Sequence, residues 1–199
     1  MIKICVVLIL GLMLTACGRS TVSQFYVLNP LPFQKSQIKN DPPLRIGIAE
    51  IDCPAYICKP EVIVHYTKHR VVLEDFHQWA GSLDKNIRRV VETNLATLLP
   101  GAAVVTLPWN PKFKPTHQLQ LTISQFDVNM DGTSVLRAEY FIYSDHKLIK
   151  KGTLYYHQKV MNVSVEKLVV SMNSNLEHLT QDIARVFLIE FKRSHYVSR

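Results

Sequence analysis

The sequence predicts an α+β domain, a mostly antiparallel sheet with two long amphipathic helices packed on it. Three observations carry that expectation. Segments such as 44–51 and 117–128 alternate apolar with other residues, the period of a half-buried strand. Two long stretches instead repeat their apolar residues every three or four positions, the period of a helix buried along one face. The elements follow the order strands, helix, strands, helix. Composition agrees: 47% hydrophobic and 20% charged residues, with seven glycines and ten prolines in 199, exclude a disordered or collagen-like chain. Only one run, at the N-terminus, is apolar enough to approach a bilayer, which excludes a polytopic membrane protein.

Taken in order, residues 24–28 read as a short strand. Residues 29–43 hold Pro30, Pro32, Pro42 and Pro43 and read as a linker, since proline withholds a ladder donor. Strands follow at 44–51, 62–67 and 70–74. Phe76, Trp79, Ala80, Leu83, Ile87, Val90, Val91, Leu95 and Leu98 then predict a helix over 76–98, with Asp75 as its N-cap and Pro100-Gly101 as its stop. Residues 103–107 form a short strand. Segments 117–128, 134–143 and 147–160 form an antiparallel meander, turning at Asp131-Gly132 and at Ser144-Asp145-His146. Ser164 caps a second helix, on which Val165, Val169, Met172, Leu176, Leu179, Ile183, Val186 and Phe187 share a face. The tail from Lys192 to Arg199 is polar, basic and expected to fray.

The N-terminus reads as an address. Lys3 precedes eleven residues, Ile4 to Leu14, without a polar side chain. As a helix that run spans about 16 Å, half a bilayer core, so it reads as a signal peptide and not a membrane span. It ends Leu14-Thr15-Ala16-Cys17, which resembles the lipobox of bacterial lipoproteins. The resemblance implies cleavage before Cys17, a diacylglycerol on its thiol and an acyl chain on the new amino group. Several acyl chains hold where one would not, at roughly 0.8 kcal/mol per buried methylene. The alternative is a plain cleaved signal peptide with an incidental cysteine. The lipobox spacing and the polar sequel Gly18-Arg19-Ser20-Thr21 speak against it. Gly18, not Asp, follows the cysteine, which by resemblance to enterobacterial sorting implies the outer membrane. The expected division is a cleaved leader 1–16, a lipidated N-terminus with short strand and linker 17–43, the α+β domain 44–192 and the basic tail 193–199. Losing the leader removes Lys3, so the net charge of +7 becomes a side-chain charge of +6. That charge suits anionic head groups or an acidic partner, and the compartment excludes nucleic acid.

Of four cysteines, Cys5 leaves with the leader and Cys17 carries the anchor. Cys53 and Cys58 remain. In an oxidising compartment so close a pair is expected to form a structural disulfide. Four intervening residues, including Pro54, do not fit a Cys-x-x-Cys redox motif. No further ligands stand at zinc spacing. His65 and His69 flank a strand and its turn, so they are expected to be exposed or edge histidines. Asp127 and Glu139 could meet across strands, although carboxylates on strands are usually solvated. No nucleophile–base, P-loop or dinucleotide pattern occurs, so no catalytic or metal residue is assigned and no enzyme is expected. Trp79 is expected in the core. Tyr56, in the pinned loop, is either core or exposed for a partner.

Several runs, in order, carry a family resemblance. They are Tyr26-Val27-Leu28-Asn29-Pro30, Ile46-Gly47-Ile48-Ala49-Glu50-Ile51, Pro54-Ala55-Tyr56-Ile57, Lys59-Pro60-Glu61-Val62-Ile63-Val64, Trp79-Ala80-Gly81-Ser82-Leu83, Ile87-Arg88-Arg89-Val90 and Leu98-Leu99-Pro100. Together they resemble the ABC-type transport auxiliary lipoproteins, the PqiC-like family, most densely over 26–110. Two departures stand out: Cys53 and Cys58 replace residues usually apolar and acidic there, and Lys59 stands where arginine is usual. The resemblance implies a non-enzymatic subunit without cofactors beyond the acyl chains on Cys17, anchored in the outer membrane and facing the periplasm. It implies an MCE-domain partner of the PqiB type, outer-membrane lipids through the anchor, and homo-oligomeric rings. Tyr56, Lys59 and Pro60 are the expected partner-binding residues. A lipoprotein that scaffolds or activates a cell-wall enzyme is the alternative.

Overall fold

The computed structural model describes residues 21–33 and 44–197. The expected leader 1–16, Cys17, linker positions 34–43 and the last two tail residues lie outside the described residues. The elements are β1 (Gln24–Tyr26), β2 (Arg45–Asp52), β3 (Glu61–Thr67), β4 (Arg70–Trp79), α1 (Leu83–Leu98), β5 (Ala103–Thr106), β6 (His117–Asn129), β7 (Thr133–Ser144), β8 (Lys147–Lys159) and α2 (Val165–Val197).

The strands form one sheet in the order β1-β4-β3-β6-β2-β5, with β7 on the other edge of β6 and β8 beyond it. The fold is α+β and the expected meander is present. Antiparallel ladders join β6 to β7 and β7 to β8 along most of their lengths. Their turns use backbone that favours glycine or short polar side chains: Gly132 has φ +89°, Asp145 +47° and His146 +62°. The sheet is nevertheless mixed. β1–β4, β2–β5, β2–β6 and β3–β6 all pair in parallel.

One edge of β6 is shared end to end. Asp52 of β2 pairs with Thr122, and Val64 of β3 pairs with Val128. Both strands run parallel to β6, so β2 and β3 act as one strand path interrupted by an excursion. Residues 53–60 leave the sheet there as a loop.

Two expectations are corrected. The first helix starts at Leu83, not at 76, with Ser82 in place of Asp75 as its N-cap. Residues 75–79 stay extended because both neighbours hold them: Gln78 pairs with Glu61, and His77, Gln78 and Trp79 pair with β1. Phe76, read as a core position, is exposed, whereas Trp79 is buried as expected, at a strand end and not on a helix face. The second helix continues through Val197 where fraying was expected.

Both helices cover one face of the sheet. Leu83, Ile87, Val90, Val91 and Leu95 of α1 are buried. They join Leu168, Met172, Leu176, Leu179, Ile183 and Phe187 of α2, and Leu119, Leu121, Phe126, Leu136 and Ile142 of the sheet, in a single core. Asn94 lies within this core and donates to Thr180 Oγ1 across the helix pair at 3.1 Å. Ser164 caps α2, its Oγ accepting from the Lys167 N–H at 3.4 Å.

Candidate tether and docking site

Three of the segments singled out in the sequence meet at one pole. The first is the strap after β1. The Leu28 N–H donates to Asn86 Oδ1 at 2.6 Å, and its carbonyl accepts from Asn86 Nδ2 at 3.3 Å and from Arg89 Nη2 at 2.6 Å. The Asn29 N–H donates to Asn173 Oδ1 and the Leu31 N–H to Asn94 Oδ1, both at 2.7 Å. Leu28 is fully buried. The amides thus do for this irregular segment what a neighbouring strand would do for a ladder, satisfying donors that burial strips of water. The segment through which any lipid tether enters is bonded to both helices.

The second segment is the loop of residues 53–60. Cys53 and Cys58 form a disulfide with Cα atoms 6.4 Å apart. The Ile57 and Cys58 N–H groups both donate to the Pro54 carbonyl, making a compact turn. Ile57 is buried in the core, whereas Tyr56 is 46% exposed, so the pinned loop presents its tyrosine to solvent. The Tyr56 hydroxyl reaches the Ser124 carbonyl at 3.4 Å, on the stretch of β6 that the excursion leaves unpaired. Lys59 and Pro60 are exposed at the base of the loop.

The third is the turn Trp79-Ala80-Gly81-Ser82. The Trp79 N–H donates to the Pro60 carbonyl at 2.7 Å and the Ala80 N–H to the Tyr26 carbonyl at 2.8 Å, so the turn is stitched to the loop on one side and to β1 on the other. Two cavities flank it. One of about 390 Å³ is lined by Cys58, Lys59, Pro60, Trp79, Gly81 and Ser82. The other, about 240 Å³, adds Tyr26, Val27, Lys85, Asn86 and Arg89 around the same Trp79, Gly81 and Ser82.

Beside the loop lies a polar pair that the sequence reading placed differently. His65 is not on an edge: it is half-buried on β3, between β4 and β6, and its Nε2 meets Asp127 Oδ2 at 2.9 Å. Asp127 is buried, 1% exposed, and also accepts from Gln125 Nε2 at 3.1 Å. Burial pushes its carboxyl above the usual range, against the pull of Gln125 and His65. Burial, and then the nearby Asp127, raise the Tyr56 hydroxyl as well. Asp127 and Glu139 do not meet, since Asp127 pairs with Val135 and Glu139 with Thr122. His69 is exposed in the β3–β4 turn.

Among the described residues no group of three or more His, Cys, Asp or Glu side chains is placed to hold a metal ion. No described helix is long and apolar enough to cross a membrane. Sequence reasoning found the loop, Tyr56 and Trp79, but missed the clamp of Asn86, Asn94 and Asn173. One signal was available: Asn94 interrupts the apolar stripe of α1 between Val91 and Leu95, where a polar residue needs a partner.

The strap, loop and turn together span the stretch over which the sequence resembles the transport auxiliary lipoproteins. The model of the ABC-type transport auxiliary lipoprotein component matches residues 26–184. The chain belongs to this family. Among curated members, the intermembrane transport lipoprotein PqiC of Escherichia coli K12 is 24% identical over 146 residues, covering 73% of this chain and 76% of that protein. PqiC of Shigella flexneri matches to the same extent. The fold recurs in a crystal structure of an uncharacterised protein, with TM-score 0.70 and 21% identity over 84% of this chain and 99% of the other. It also recurs in a protein of Xanthomonas campestris, with TM-score 0.72 and 12% identity over 87% and 99%. The family is one of transport auxiliary lipoproteins, not of enzymes.

Proposed function

We propose that this lipoprotein is a non-enzymatic subunit of an MCE-type, Pqi-like intermembrane lipid transport system. It is anchored by acyl chains on Cys17 in the outer membrane, faces the periplasm and docks the periplasmic MCE protein there. The observation that carries the reading is family membership over residues 26–184, with PqiC relatives matched along three quarters of both chains. The architecture supports it, because the strap fixes the incoming tether to both helices while the disulfide loop, closed next to it, offers Tyr56 to a partner. Tyr56 makes the contact, and Lys59 and Pro60 shape the base of the loop. A ring of copies suits a ring-shaped partner, and the acyl chains are the only prosthetic groups.

Photo-crosslinking in cells tests the docking. A crosslinking amino acid at position 56 is expected to capture the MCE protein, and one at Tyr155, on the far strands, is expected not to. Capture of a cell-wall enzyme at position 56, with no MCE adduct, contradicts the reading.

A further inference from the structure

Two adjoining cavities share Trp79, and cations border both. Lys59 borders one, and Lys85 and Arg89 border the other. Arg89 is engaged with the Leu28 carbonyl. Among the described residues neither Lys59 nor Lys85 is held in an ion pair. The nearest acid on α1, Asp84, is occupied by the Ser82 hydroxyl, with Arg88 as its nearby cation. One ammonium group outside any ion pair thus borders each cavity, the two cavities share Trp79, Gly81 and Ser82, and Glu166 acts on Tyr26 in the lining of the smaller one.

The surroundings say what fills them. Val22, Phe25 and Val27 are 81%, 63% and 48% exposed on and around β1, and Val27 lines the smaller cavity. Cys17 stands seven residues before Gln24, and at most about 3.6 Å per residue that span reaches roughly 25 Å. The cavities therefore stay within a short tether of the anchored acyl chains, with exposed apolar side chains next to them and cations at their borders. We propose that this pole is a binding site for the phosphate-bearing head group of an anionic phospholipid in the anchoring membrane. The phosphate sits between Lys59 and Lys85, the glycerol moiety lies against Trp79, and Phe25 and Val27 enter the interfacial layer. The proposal rests on the reading that Cys17 is acylated. It also divides the loop: Lys59 serves the head group and Tyr56 the protein partner.

Hydrogen exchange on the lipidated protein in nanodiscs tests it. Discs of phosphatidylcholine with phosphatidylglycerol are expected to slow exchange over residues 24–29 and 79–86, relative to phosphatidylcholine alone. Each lysine removed, as Lys59→Gln or Lys85→Gln, should weaken that protection about fivefold, while Lys→Arg retains it. Equal protection in both discs, protection in neither, or protection untouched by Lys59→Gln/Lys85→Gln overturns the proposal. So does equal protection by inorganic phosphate in lipid-free detergent, which would make the site a phosphate site and not a membrane contact. The intact mass of the mature protein judges the anchor separately. If Cys17 carries no acyl chain, the anchor reading fails, and the same exchange on the chain mixed with phosphatidylglycerol vesicles still decides the head-group site.

Discussion

Asn86 does more for this fold than its position between Lys85 and Ile87 suggests. Its amide answers both backbone groups of Leu28, so Asn86→Ala leaves a buried N–H unpaired. A cost of about 1–3 kcal/mol is expected, a fall of several degrees in the thermal midpoint, with the strap the first region to lose exchange protection. An unchanged midpoint would show that the strap does not depend on the clamp. Asp127 makes a second prediction. Its folded pKa lies above the ordinary 3.8, so its contribution to stability is fully present below that value and is lost as pH rises through the folded pKa. Asp127→Asn cannot titrate. The variant's midpoint relative to wild type should rise as pH climbs from below 3.8, and a flat or falling difference contradicts the raised pKa. The exposure of Tyr56 was open in the sequence and the disulfide was expected, because both depend on six neighbouring residues. The Asn86 clamp and the His65–Asp127 pair join positions about sixty residues apart, and nothing local announces them.

At the scale of elements, the interrupted strand path of β2 and β3 makes the loop of residues 53–60 a structural junction. A disulfide closing so short a loop contributes about 2 kcal/mol. Cys53→Ser should lower stability in a denaturant titration by that amount under oxidising conditions and by nothing in excess reductant. A loss that persists in reductant would assign the effect to packing of the cysteines instead. The meander β6–β7–β8 was legible because its turns are local and its alternation is long. The end of β4 was not: Phe76, Trp79, Ala80 and Leu83 fall at helical spacing by coincidence. What keeps residues 75–79 extended is their pairing with β1 and β3. The parallel pairings of β6 with β2 and β3 were equally hidden, since no short turn links parallel strands. The helix periods themselves held from Leu83 and Val165 onward, where burial of one face decides the conformation.

For the whole molecule, two helices and a mixed sheet carry a pole where the strap after β1, the disulfide loop and the two cavities around Trp79 lie side by side. That placement suits a lipoprotein whose anchor and partner surface must be held close together, near the membrane. Lys59 and Lys85, neither in an ion pair among the described residues, border the two cavities there. The central claim is that the domain serves an MCE-type transport system. Its most direct test is purification of the tagged, lipidated protein from detergent-solubilised envelopes, followed by identification of what accompanies it. Enrichment of an MCE-domain protein is expected, reduced by Tyr56→Ala. Repeated recovery of the lipoprotein without any MCE protein would contradict it.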